Sequence, residues 1–512
     1  MKQYPSIFND VIGPVMVGHS SSHTAASVRI GNIIRQLAGN VVVKKIRFSF
    51  DTESSLAATY SSQGSDTGLL SGLLGWETRD KRIPRARKYA AEAGIDCSFE
   101  VRNIGPGHPN AYYADFSSGS GKPLNLIAVS SGGGMIEITE YMGFPVSIDG
   151  GFFETLIVCG SPESAAVVQK INESLSGRHI VSVSEKDGRS LVNIKSAEEE
   201  EFDFPGAEIY RIKPVMPVMS QITPHVPFAS AGEINRYPGS AAMPLWELAV
   251  LYESERSALP PDAVIQKMRG IVDTLRQSLA APDNDEIKDR ILQNQARLMG
   301  ANNNVLGGSF IKNVIKYVTR FMDIKTSMGV FVAAPTAGSC GCVSGCVFAL
   351  AEELALGDDG IAKALLSAGL TGVIIAQRST FAAELCGCQA ECGAGSGMCA
   401  AACAGILGAP TETCLKAASM ALQNILGLVC DPVGNRVEVP CLGKNVLAAF
   451  NAIASANMAV SGYDEVIPLD ETIAALDSVG RSIPRELRCT GLGGLSTTKT
   501  SLEILEKGNR LV

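Results

Sequence analysis

FPGAEIYRIKPVMPVMSQITPHVPFASAGEINRYPGSAAMP, residues 204–244, carries seven prolines and divides the chain into two halves of different character. Proline has no backbone N–H and a fixed φ, so this run reads as an extended linker. Beyond it, residues 245–512 repeat apolar side chains at helical spacing: Leu245–Arg256, Ala263–Leu279, Asn284–Met299, Phe310–Phe321, Ile361–Ile375, Glu412–Leu426 and Val446–Met458. A large all-α unit is expected there, with Gly-, Cys- and Pro-bearing loops as the places to seek chemistry. Before the linker the pattern is mixed. VVVKKIRFSF alternates as a strand, Gly68–Trp76 reads as a small apolar helix, IGPGHPN (104–110) as a turn-rich loop, and LNLIAVSSGGGMIEITEYMG as two strands about a glycine hinge. Residues 1–150 are therefore expected to form an α+β domain.

Residues 151–203 read differently again. TLIVCG is strand-like, Ser161 is placed to cap the helix PESAAVVQKINESL with Pro162 at its first position, and Asp187-Gly188 marks a hairpin in IVSVSEKDGRSLVNIKS. This βαββ order resembles an ACT-type regulatory module; a generic small α+β unit fits the same pattern. ACT-type modules often pair, so a homodimer is expected.

The 512 residues carry a net charge of −8, which argues against a nucleic-acid partner, since those need a basic face. The opening MKQYPSIFNDV has no apolar stretch behind a basic head and is not expected to be a secretory signal. The uncharged runs Met328–Ala351 and Gly393–Thr411 are broken by Pro, Gly and Ser and read as buried helix and loop, not membrane spans. A cytoplasmic location is expected. Of the fourteen cysteines, twelve fall between Cys340 and Cys489. In such a chain they are metal ligands, catalytic thiols or small core residues, not a disulfide framework.

Three cysteines sit in short links between predicted helices: Cys388 in GCQAECG, Cys430 in LVCDPVGN and Cys441 in VEVPCLGKN. None has zinc-finger spacing. They fit three corners of an iron–sulfur cubane with one open iron, or equally three buried apolar thiols. Ser20, Ser21, Ser22, His23 and Thr24 put four hydroxyls around one imidazole ahead of a helix, a carboxylate cradle or a Ser-rich cap. APTAGSCGC, with Pro335, Thr336, Ala337 and Gly338, opens another helix with small residues that let backbone amides approach an anion, or simply packs as a helix-entry turn. Cys399, Cys403 and Cys414 lie in Ala-rich helical runs and read as core, Cys386 and Cys392 flank Cys388 as rival candidates, and Cys489 reads as structural, with an approach to the site as the alternative.

GCQAE, LGLVCDPV, VEVPC-x3-N and PRELRCTGLGGLSTT resemble the α-subunit half of iron–sulfur L-serine dehydratases, and GPVMVGHSSSHTAASVRIG their β-subunit half, with SSGGGMIEITEYMGFPV leading towards its ACT-like domain. The resemblance spans nearly the whole chain, as one fused polypeptide. It implies a [4Fe–4S] cluster on Cys388, Cys430 and Cys441, and an L-serine ammonia-lyase that yields pyruvate and ammonia with the cluster as Lewis acid. It also implies that Ser20, Ser21, Ser22, Thr24 and the Pro335–Gly338 loop bind a small amino-acid substrate, with His23 and Ser22 catalytic and His108 in a lesser binding role. Two places depart from the family pattern. Gln63-Gly64-Ser65-Asp66 stands where His-Gly-Thr-Asp is usual, and Leu385-Cys386 precedes GCQ where smaller or polar residues are usual. These departures keep a cysteine desulfidase-like lyase, or one acting on another β-hydroxy amino acid, as the alternative; a non-catalytic amino-acid sensor is the third reading. No lysine-centred motif points to pyridoxal phosphate.

Overall fold

A computed structural model describes residues 4–105, 107–175, 177, 179–284, 287, 290–301 and 304–509. Pro106 of the expected turn and residues 285, 286, 288 and 289 of the expected helix Asn284–Met299 lie outside the described residues.

The chain folds as an N-terminal α/β region with sheets and a large helical C-terminal region. In the first, strands 45–51, 96–102, 111–117, 123–132, 135–141 and 144–148 form one sheet, antiparallel except where 45–51 runs parallel to 96–102. Leu124, Leu126 and Ala128 alternate inward along their strand and build the core with Val28, Ile30, Ile33, Ile34 and Leu37 of helix Ala26–Leu37. Helix Ser65–Leu73 lies across that helix at glycine contacts. A Cβ on Gly31 would come within 2.4 Å of the Leu69 carbonyl, and one on Gly72 within 2.2 Å of that of Val28.

A second, antiparallel sheet has the order 208–212, 153–160, 189–196, 179–186, and helix Ser164–Leu175 closes a small core of Ile157, Val167, Ile171, Val192 and Ile194. The hairpin turn is at Asp187-Gly188, both with positive φ. Two expectations are corrected here. The Ser161 hydroxyl does not cap the helix, which starts after a 3-10 turn at Ser161–Glu163; it accepts instead from Ser190 Oγ. The expected linker 204–244 is not extended throughout. Glu208–Ile212 pairs with Phe153–Gly160, because this β-branched and aromatic stretch is free of proline between Pro205 and Pro214, and Ala231–Arg236 is helical.

The helical region is centred on Cys392–Ile406, buried from Cys392 to Ala404 and packed by helices 340–353, 358–376, 411–423 and 441–460. A helix without a polar face belongs inside. Small residues allow these helices to close: a Cβ on Gly345 would sit 2.5 Å from Val318 of helix Gly308–Thr326. Helix Asp358–Ala376 is long and apolar enough to cross a membrane, but 78% of its apolar window is buried in the protein. The expected helix Asn284–Met299 is, among the described residues, only the short Ala296–Ala301. Here Asp323 and Glu438 accept the backbone N–H groups of Ala296, Ile291 and Leu292, so tertiary partners replace helical bonds. Cys441, expected in a loop, is the first residue of helix Cys441–Val460.

The two regions are stitched together by the first residues. Ile7, Phe8, Val11 and Ile12 belong to the helical core, and Val15–Met16 pairs antiparallel with Phe331–Val332. That two-residue ladder sets the serine-rich loop beside the Pro335 loop.

Candidate active site

Leaving the ladder, Ser20 accepts from the His23 N–H and starts the turn Ser21–Ala25, which runs into helix Ala26–Leu37. The three serines then diverge. Ser20 Oγ stays 3.1 Å from His23 Nδ1, Ser21 Oγ accepts from the Ala337 N–H at 3.1 Å, and Ser22 Oγ donates to Glu384 Oε1 at 3.1 Å. Thr24 turns away from this group, its hydroxyl donating to the Gln63 carbonyl.

His23 is fully buried. Its Nε2 lies 2.8 Å from Thr59 Oγ1, which itself donates to the Ser55 carbonyl. A hydroxyl has one proton, so Thr59 accepts from Nε2–H and the lone pair falls on Nδ1. That basic nitrogen faces Ser20, Ser22 and Glu384, the last at 3.7 Å. Burial lowers the His23 pKa and the Glu384 carboxylate opposes that shift. The ring is therefore a neutral base near pH 7.

Glu384 also lines a cavity of about 300 Å³ together with His108, Ser54, Ser55, Leu385 and Arg488. His23 is not on that surface; Glu384 stands between. Its Oε2 is buried without a hydrogen-bond partner among the described residues, while Oε1 takes Ser22. A buried carboxylate oxygen left bare is costly unless a ligand completes it. His108, whose Nδ1 accepts from the Asn110 N–H, has its pKa lowered by burial.

Across from the serines, Thr336 and Ser339 cap the short turn that starts helix Cys340–Glu353, and Thr336 Oγ1 donates to Glu391 at 2.7 Å. Burial pushes Glu391 up to about 7, against the Thr336 bond. Asn445 locks this loop from behind: its amide donates to the Gly338 and Cys441 carbonyls and accepts from the Cys342 N–H. A Cβ at Gly338 would sit 2.7 and 2.8 Å from the Glu391 oxygens. Gly338→Ala is accordingly expected to part Thr336 from Glu391 and to lower kcat/KM about 10- to 100-fold, as overpacking by about 1–3 kcal/mol implies; steady-state kinetics at unchanged metal content check this.

The three singled-out cysteines come from distant segments and are all buried. Cys388 opens a 3-10 turn after Gly387, whose φ is 71°; Cys430 bridges to Arg488; Cys441 starts its helix. They sense one another. Burial pushes Cys441 up to about 12, with Cys388 and Glu391 adding to the rise and Lys325 and Lys444 opposing it. Burial works against the Lys444 ammonium, but Cys388, Asp431 and Cys430 hold its pKa above the ordinary lysine value. Cys392 is driven up chiefly by contact with Cys388, and Cys430 by contact with Cys489. Cys489 does approach this group: it adjoins Cys430, and Gln63 Nε2 comes within 3.5 Å of its sulfur. Cys386 points elsewhere, towards Asp477. A separate buried group, Cys346, Cys399 and Cys403, has its sulfurs within 4.8 Å of one another and is compatible with metal binding.

Several residues of this site carried no assigned role in the sequence. Glu384 and Glu391 were visible as carboxylates bracketing Cys388 in AELCGCQAE, and Asn445 as the asparagine after VEVPC. Nothing in the sequence marked Thr59 or Lys325.

Residues 240–496 match the family model described as serine dehydratase alpha chain, which takes in half of the 512 residues. The chain belongs to the serine dehydratase alpha-chain family. Among its relatives is the "Probable L-serine dehydratase, alpha chain" of Bacillus subtilis, 40% identical over 202 residues, or 40% of this chain and 67% of the relative. The L-serine dehydratase alpha chain of Peptoniphilus asaccharolyticus is 33% identical over 281 residues, covering 54% of this chain and 96% of its own. The L-serine dehydratase beta chain of the same organism is 32% identical over 188 residues, 36% of this chain and 82% of its own. This member of the family is a fusion, with beta-like and alpha-like halves in one polypeptide.

Proposed function

We propose that this chain is an L-serine ammonia-lyase, removing water and then ammonia from L-serine to leave pyruvate. The observation that carries this reading is the meeting of the two halves. The Ser20–His23 turn, Glu384 and the Thr336–Gly338 loop converge beside three buried thiols, and relatives of both halves are L-serine dehydratase chains.

The thiols fit a [4Fe–4S] cluster held by Cys388, Cys430 and Cys441. Three donors arrive from separate segments, and Lys444 and Lys325 supply positive charge beside the anionic thiolates. When bound, such a cluster supplies Lewis-acid chemistry at the departing hydroxyl without net redox change. The protein supplies the rest. Backbone amides at the start of helix Cys340–Glu353 and the serine hydroxyls suit a carboxylate. His23 Nδ1 is the final acceptor of the Cα proton, reached across the Glu384 carboxylate that separates the ring from the cavity, and that carboxylate stabilises the imidazolium that results. Loss of hydroxide gives 2-aminoacrylate, which tautomerises to the imine; water replaces the nitrogen, and ammonia leaves. The βαββ unit at 153–196 is read as ACT-like on the order of its elements.

Oxygen-free protein with serine, threonine and cysteine, assayed for ammonia, 2-oxo acid and sulfide, tests the assignment. Serine turnover with equimolar ammonia and pyruvate is expected; sulfide from cysteine with serine inert would transfer it to a desulfidase. Glu384→Gln adds a pH signature. Removing the charge that raises the His23 pKa lets it fall further, so the acid limb of kcat/KM moves to lower pH. An unmoved limb would separate Glu384 from the base.

A further inference from the structure

Away from the site just described, four cysteines form two pairs one helical turn apart on facing helices. Cys342 and Cys346 lie on Cys340–Glu353, Cys399 and Cys403 on Cys392–Ile406. Side chains four apart share a helix face, so each helix offers two thiols to the other. All four are buried. Cys346 and Cys403 approach to 3.7 Å across the interface, Cys399 and Cys403 are 3.8 Å apart along their helix, and the Cys399 thiol also contacts that of Cys342.

Those separations have a simple geometric meaning. Four sulfurs about 2.3 Å from a central zinc, at tetrahedral angles, stand about 3.8 Å from each other. The sulfurs of Cys346, Cys399 and Cys403 lie within 4.8 Å of one another and suit one ion, while Cys342 stands just outside this group. Thiolates that each take a different iron of a cubane stand farther apart, so this group is not a second copy of the Cys388 arrangement. Isolated core cysteines need no such convergence.

We infer that Cys346, Cys399 and Cys403, with Cys342 drawn in from beside them to complete the set, form a structural site for a thiophilic d10 cation, Zn2+, distinct from the catalytic centre. Soft thiolates select such ions, and each ligand gives up its proton as the ion binds. The site would clamp together the two helices whose first turns follow Thr336–Ser339 and Cys388–Glu391. It would thereby hold the substrate loop against one cluster cysteine. Because the thiols are buried in the folded protein, the ion is expected to enter during folding and to exchange slowly.

The test is metal content in the full-length protein produced anaerobically with zinc and iron supplied. About one zinc per chain is expected, resistant to EDTA in the native protein and released to a chromogenic chelator on unfolding in guanidinium. In Cys346→Ala/Cys403→Ala, zinc is lost while iron and the visible absorbance persist; in Cys388→Ser the reverse holds. Should the double variant fail to fold, wild-type protein produced with cobalt answers instead, with tetrahedral thiolate-to-Co2+ bands in its absorption spectrum. Zinc below about a tenth per chain in the wild type overturns the inference. So does zinc that survives the double substitution, cobalt without thiolate bands, or a Cys346–Cys403 disulfide found by mass spectrometry of alkylated protein.

Discussion

Cys388→Ser, Cys430→Ser and Cys441→Ser are each expected to lower serine turnover by about 10³-fold or more and to strip iron from protein kept free of oxygen. A Lewis acid at the departing hydroxyl contributes several kcal/mol to the transition state, and each 1.36 kcal/mol is a factor of about ten. The three thiols lie on a turn, a bridge and a helix start that share no local structure, so losing one leaves the other two segments in place. The Lys444 ammonium is then left beside fewer anions, still held by Asp431 and the Val429 carbonyl. The contrast lies in the neighbours. Cys392 and Cys489 adjoin Cys388 and Cys430 but lie outside the proposed ligand set, so Cys392→Ser and Cys489→Ser are expected to keep iron and most of the activity. Iron analysis beside ammonia release separates the two classes. Full activity in any of the first three removes the proposed ligand set.

His23→Ala is the second large effect: a loss of about 10²–10⁴ in kcat, the range for general base catalysis, with iron content unchanged. The Nδ1 lone pair is available only because Thr59 spends its proton on Ser55 and accepts from Nε2. Thr59→Val should therefore lower kcat by a smaller factor, by freeing the ring to change tautomer. His23 buried as a neutral base also couples stability to pH. Its folded pKa lies below the ordinary value, so the unfolded chain takes up the proton first, and stability falls as pH drops through about 6.5. A His23→Ala variant should lose that acid sensitivity in denaturation curves taken between about pH 7 and 5.

Much of the architecture could be read along the chain. Helical spacing at Leu245–Arg256, Ala263–Leu279, Phe310–Phe321 and Ile361–Ile375 found the helices Leu245–Ser257, Pro261–Ala280, Gly308–Thr326 and Asp358–Ala376, and Asp187-Gly188 marked its hairpin. Failures came where partners lie far off in sequence. The Asn284–Met299 pattern was helical in period, yet Glu438 and Asp323 bind its backbone. Glu208–Ile212 lay inside a proline-rich run and took its place from the edge of a sheet.

By itself the sequence determined which side chains are available and which segments coil or extend, because periodicity and turn chemistry act over a few neighbouring residues. It also carried the pairing of a serine-rich turn with a cysteine-bearing helical half. Only the tertiary structure decided that Glu384 stands between His23 and the cavity, that Thr59 sets the tautomer, and that two cysteine pairs face each other across helices 340–353 and 392–406. Such contacts join residues tens to hundreds of positions apart, and close packing of whole elements, not any local preference, brings them within bonding distance.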